Sequence, residues 1–279
     1  MKSTLSHVRL GTPGGAPVLL VHGIGHRREA WGRVPQLLAA AGHDVVVVDL
    51  PGHGRSPGPR RPDGYSMRSS VEQLERLCRD LGIVRPHVVG NSLGGLMALH
   101  MASRGVAASA VAISPAGFYP PHHLLVVGTE LLAIKAGARV PATIYRRLVG
   151  HARVRKVLLG VLYRHPEVLE VEDCVGDAVS LRGSRGFWHY LVRATFHRFT
   201  RQPVVPTTIA WGDSDRMLLP VQAETARDRF RDNPLVSVIP LRDAGHCGQV
   251  DQPDEVVAIV ERTIARTDGS TGRHLALAG

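Results

Sequence analysis

Short aliphatic runs recur along the first half of the chain, and between them lie longer stretches whose apolar positions return every three or four residues. Residues 17–22, 44–49, 87–90 and 109–114 are built around unbroken Val, Leu, Ile or Ala. Side chains alternate sides along a strand, so a run that is apolar at every position suits a strand covered on both faces. Residues 29–41, 66–81 and 93–103 carry helical spacing instead. Strand and helix in alternation predict βα units around a mostly parallel sheet.

The alternation stops after Gly117 and resumes at 207–211, followed by a helical segment at 222–230, a strand at 235–241 and a helix at 255–265. In the gap, residues 124–136, 142–148, 154–163 and 187–199 have amphipathic helical spacing. The expected organisation is a core domain of residues 1–117 and 204–267, with residues 118–203 inserted as a helical cap over the carboxyl ends of the strands, where open α/β sheets bind ligands. Residues 268–279 are small and polar, the composition of a disordered tail.

Composition narrows the function classes. The chain has 279 residues, 44% of them hydrophobic, enough for one large α/β domain with an insertion. No apolar run is long enough to span a bilayer and residues 1–15 lack the apolar stretch of a secretory signal, so a cytoplasmic location is expected. Cys78, Cys174 and Cys247 are odd in number and lack metal-ligand spacing, which speaks against a disulfide framework and a zinc site. The net charge of +10 is concentrated: residues 117–203 hold 11 Arg and 2 Lys against 6 Asp or Glu. Within that segment Arg139, Arg146, Arg147, Arg153, Arg155 and Lys156 occur with no acidic residue between them. Such a field is either a solvated face or a site for an anionic carrier or an acidic lipid surface. Nucleic acid is not indicated, because no basic motif with interleaved aromatics occurs.

Candidate chemistry lies at the strand ends. Gly90-Asn91-Ser92-Leu93-Gly94 follows one strand and opens a helix, the context of a G-x-S-x-G nucleophile elbow. A serine hydroxyl needs a base to remove its proton, and that base needs an orienting acid. His246 follows the 235–241 strand, and Asp213 and Asp215 both follow the 207–211 strand. His22-Gly23-Ile24-Gly25 follows the first buried strand, where the amides of Ile24 and Leu93 would form an oxyanion hole. His53, in a Gly-rich turn, reads as architectural.

The segments HGIG (22–25), DLPGHGRS (49–56), GNSLGG (90–95), WGDSDR (211–216) and AGH (244–246) occur in the order found in the α/β-hydrolase superfamily, which the chain resembles from about residue 8 to residue 265. The resemblance implies the α/β-hydrolase fold: an eight-stranded, mostly parallel sheet with an inserted helical cap, and no metal or organic cofactor. It assigns nucleophile, acid and base to Ser92, Asp215 and His246. A serine nucleophile sets aside the epoxide hydrolase and haloalkane dehalogenase branches. The implied activity is that of a carboxylesterase or lipase, cleaving a small apolar acyl ester through an acyl-enzyme. Carbon–carbon hydrolases of aromatic ring cleavage and thioesterases acting on carrier-linked or coenzyme A acyl groups are the alternatives. The former usually carry Trp after the catalytic His, where this chain has Cys247. Gly25 and the cap residue Trp188 are candidate substrate contacts.

Overall fold

The aliphatic runs do become strands. A computed structural model describes residues 3–120, 123–195 and 197–275, and its strands are β1 (His7–Gly11), β2 (Pro17–Val21), β3 (Asp44–Val48), β4 (His87–Asn91), β5 (Ser109–Ile113), β6 (Thr207–Gly212) and β7 (Val236–Leu241). They form one seven-stranded sheet in the order β1-β3-β2-β4-β5-β6-β7. Only β1 is antiparallel to its neighbour. Among the described residues the sheet thus has one strand fewer than the resemblance implies, with β1 standing alone at the antiparallel edge. β1 itself escapes the sequence reading because it is a short edge strand of mixed polarity, with Arg9 on Asp44 through Nε–Oδ1 at 2.7 Å.

Alternation along the strands feeds two separate cores. Leu19, Val21, Val46 and Val48 pack with Leu74 and Leu77 of α2 (Met67–Asp80) and Met97 and Met101 of α3 (Leu93–Ser103). Val18, Leu20, Val45 and Val47 face the other way, onto Leu38 of α1 (Val34–Ala40) and Val256, Ile259 and Val260 of α11 (Pro253–Leu275). Each fully buried Val or Leu contributes about 1.5–3 kcal/mol relative to exposure, so both helical layers are held firmly to the sheet.

Between β5 and β6 the chain builds five helices: α4 (His123–Gly137), α5 (Ala142–Val149), α6 (Ala152–Leu159), α7 (Val171–Gly183) and α8 (Gly186–Thr195). The helix α9 (Val221–Arg229) joins β6 to β7, and the single turn α10 (Gly248–Asp251) precedes α11. Three details depart from the sequence reading. The helix expected over 29–41 is split, because Gly32 takes a positive φ of 53° between a 3-10 turn (Arg28–Trp31) and α1. The helix α7 is additional; Val171, Cys174, Val175, Ala178 and Leu181 give it helical spacing, but Gly176 interrupts its propensity. The last helix runs to Leu275, past the expected domain end at 267, and residues 276–279 of the expected tail lie outside the described residues. No described helix is long and apolar enough to cross a membrane.

Candidate active site

Ser92 sits at φ 56° and ψ −114°, between β4 and the first residue of α3. A non-glycine residue held there stores strain of order 1–3 kcal/mol, and the surroundings must enforce it. Its N–H donates to the Ile113 carbonyl (2.9 Å), and its carbonyl accepts from Leu96 (3.0 Å) and Ala116 (3.1 Å). The flanking glycines are required sterically: a Cβ on Gly90 would lie 2.1 Å from the Gly94 carbonyl oxygen, and one on Gly94 2.0 Å from that of Val21. Packing at these contacts forces the turn and raises the serine above the sheet.

His246 and Asp215 reach the same place from the ends of β7 and β6. The imidazole Nδ1 lies 2.9 Å from Asp215 Oδ2, and both side chains are buried. Asp215 Oδ1 accepts the backbone N–H groups of Met217 (2.9 Å) and Leu218 (2.8 Å). The carboxylate is fully engaged, so His246 donates through Nδ1 and keeps Nε2 as acceptor. Asp213, the other candidate, is exposed and joins the two loops by accepting from Asp243 N–H (3.1 Å). Asn91, the variable residue of the elbow, donates from Nδ2 to the His246 carbonyl at 2.8 Å. Sequence reasoning did not assign that residue a role; its signal was an amide side chain beside the serine.

Ser92 and His246 line a cavity of about 480 Å³ between the sheet and the inserted helices. Ile24 lines it too, and Leu93 joins Ile24 and Ser92 around a smaller adjoining cavity. Leu93 is the first residue of α3, where an N–H has no acceptor within the helix. Gly25 borders the cavity at φ 78°, and a Cβ there would come within 2.6 Å of Leu181 on α7. Trp188 does not line the cavity: it is 47% exposed, and its neighbour Phe187 faces inward. The helical phase of α8 puts the two on different faces.

The buried histidines of the loops have structural partners. His22 Nε2 accepts from the Leu50 N–H (3.0 Å), and its Nδ1 donates to the Gly23 carbonyl (2.7 Å). Burial lowers its pKa to about 3, so it is a neutral tie between the β2 and β3 loops. His53 is likewise pushed down to about 3 by burial, with Nδ1 beside the Pro51 carbonyl (3.1 Å). Cys247 is wholly buried, its thiol raised by desolvation, with Sγ 3.7 Å from His26 Nε2.

The charge pattern also resolves. Arg155 is buried and donates to the carbonyls of Pro166 (3.1 Å) and Glu167 (2.6 Å). Arg146 pairs with Glu172, and Lys156 with Glu167 at 3.1 Å. Three of the six clustered cations are therefore engaged. The charged groups lining the cavity are Glu29, Glu130, Asp173 and Asp177, with no Lys or Arg. Arg27 neutralises Asp177 from behind, Nε to Oδ1 at 2.8 Å. None of these acids was singled out from sequence. The described residues hold no group of three or more side chains suited to a metal.

Comparison with known proteins agrees with this architecture. A model of the alpha/beta hydrolase family matches residues 18–259. Lipase 1 of Psychrobacter immobilis is 26% identical over 259 residues, covering 88% of this chain and 75% of that protein. An esterase of Mycobacterium tuberculosis is 26% identical over 280 residues, covering 92% of this chain and 85% of that one. A thermophilic esterase from Thermogutta terrifontis has the same fold, with a TM-score of 0.71 at 22% identity over 94% of this chain and 93% of its own. With the family match spanning the sheet from β2 to α11, the chain belongs to the alpha/beta hydrolase family.

Proposed function

We propose that the protein is a serine hydrolase that cleaves a carboxylic ester through an acyl-enzyme. The observation that carries this reading is the buried Asp215–His246 hydrogen bond beside a cavity that also holds Ser92 on its strained turn. In the first step His246 Nε2 takes the Ser92 hydroxyl proton as Oγ attacks the ester carbonyl. The tetrahedral oxyanion is met by the amides of Ile24 and Leu93, and its collapse expels the alcohol, which receives the proton from His246. Water then attacks the acyl-enzyme with His246 again as base, releasing the acid and restoring Ser92.

Esterase and lipase relatives support an ester as the bond cleaved. Leu131, Ile134, Leu162, Phe187 and Met217 line the cavity and suit an apolar acyl chain, each buried methylene contributing about 0.8 kcal/mol. The inserted helices act as the cap over this chain. An anionic carrier finds no Lys or Arg among the described residues that line the cavity, which disfavours the thioesterase alternative. The test is intact-protein mass spectrometry on samples quenched in acid during turnover of an activated ester: a transient acyl adduct, absent in Ser92→Ala, is expected. Turnover persisting in Ser92→Ala within tenfold of the unmodified protein would overturn the reading, since loss of a triad serine costs on the order of 10³-fold or more.

A further inference from the structure

Helix α4 has the sequence HLLVVGTELLAIKAG, apolar over most of its length, and Glu130 is its one acidic residue. An ionisable group in an apolar helix is costly unless something receives it. The other polar side chains of α4 are received. Thr129 Oγ1 donates to the Val126 carbonyl at 2.8 Å. Lys135 is buried, donates to the carbonyls of Leu181, Arg182 and Ser184 at the end of α7, and lies 4.9 Å from the centre of the Phe187 ring.

Glu130 differs. It lines the cavity with Ser92 and His246, and its Oε2 is buried with no hydrogen-bond partner. No Lys or Arg side chain lines the cavity to neutralise it. Burial and the negative charge of Asp215 push its carboxyl pKa up, while His246 pulls it down, as expected for a group that shares the reaction space with that pair. Asp177 is held by Arg27, Glu29 is exposed and pairs with Arg27 and Arg28 at 3.4 Å, and Asp173 is exposed, so Glu130 is the acid whose acceptor oxygen is left for an occupant.

On the reading of the site as an ester hydrolase, we propose that Glu130 is a specificity-determining residue: its carboxylate accepts a hydrogen bond from a donor on the substrate, a hydroxyl, amide N–H or ammonium, and rejects substrates that place a carboxylate there. A polar pocket group left unpaired by the wrong substrate discriminates far more strongly than a missing methylene does.

The experiment compares chromogenic esters of stepped acyl length whose chain ends in methyl, hydroxyl, ammonium or carboxylate, in the unmodified protein, Glu130→Gln and Glu130→Leu. At one chain length the unmodified protein should favour hydroxyl and ammonium over methyl by about tenfold or more in kcat/KM, and disfavour carboxylate by a similar factor. Glu130→Gln should keep the hydroxyl preference and lose the two charge effects; Glu130→Leu should lose all three. Identical selectivity ratios in the three proteins would overturn the proposal. A binding measurement separates its failure from failure of the hydrolase reading: calorimetry with alkylammonium and alkanoate ions on Ser92→Ala should show preferential ammonium binding that Glu130→Gln removes. If no ester is turned over but that preference is present, the assignment of Glu130 stands and the ester reading falls. Equal binding of both ions sinks the assignment.

Discussion

On the sheet side of the cavity, hydrogen bonds and close packing hold each group of the proposed triad: Ser92 by three hydrogen bonds and two glycine contacts, Asp215 by two amides, His246 by Asp215 and by Asn91 at its carbonyl. On the helical side the wall is mostly aliphatic, and its half-buried acid, Glu130, has a buried oxygen with no hydrogen-bond partner. The first arrangement fixes the position and orientation of single side chains, as proton transfer and nucleophilic attack need. The second fixes a volume and a polarity. On the proposed reading the contrast separates the reaction from the choice of substrate, and substitutions on the two sides should fail in different ways.

The strongest challenge to this division is Asp215→Asn. An amide in place of the carboxylate favours the wrong His246 tautomer, and ester turnover should fall on the order of 10³-fold or more with little change in KM. Asp213→Asn should stay within about threefold, since that residue braces an exposed loop; steady-state kinetics on both variants decides it. Equal losses would mean that loop position, and not the His246 contact, matters.

A smaller effect is expected at Asn91→Ala. Its amide ties the elbow to the His246 carbonyl, so kcat should fall about tenfold while selectivity among acyl chains is unchanged. A change in selectivity with no change in kcat would erase the distinction between the two sides.

A third effect, confined to the loops after β2 and β3, is the response to acid. His22 and His53 take up a proton near pH 6.5 in the unfolded chain but only near 3 in the fold. Their folded pKa values are lowered, so the unfolded state binds more protons across this window. Stability is fully present above about pH 6.5 and is withdrawn as pH falls toward 3. Thermal melts should be flat from pH 7 to 8 and lose several degrees by pH 5. A melting temperature unchanged down to pH 5 would show that both rings reach solvent without unfolding.

The same division explains what could be read from the sequence. Parallel strands buried on both faces leave nearly uninterrupted aliphatic runs, so β2 to β5 are legible within a residue or two, while β6 and the half-buried edge strand β7 are found from their place in the resumed alternation. Ser92, Asp215 and His246 lie at strand ends in locally constrained turns, and local constraint leaves local motifs. β1 is short and at an edge and carries no clean period, and α7 has helical spacing but a glycine that lowers its propensity. The six clustered cations look alike in sequence; only the fold distinguishes buried Arg155 from an exposed neighbour such as Arg153. Glu130 was illegible for a related reason, because nothing within α4 tells which of its sides meets the cavity.

The amide of Phe199 donates to the carbonyl of Gly117 at 3.1 Å, so the two ends of the inserted segment are tied to each other. Everything between those two residues is a detour with a common entrance and exit. Closing a longer or shorter detour changes the chain entropy slowly, by about 0.6 kcal/mol for each doubling of length. On the proposed reading, a helical top of another length would cost the sheet little, and exchanging it would change which acyl chains fit while leaving the turn that holds Ser92 in place.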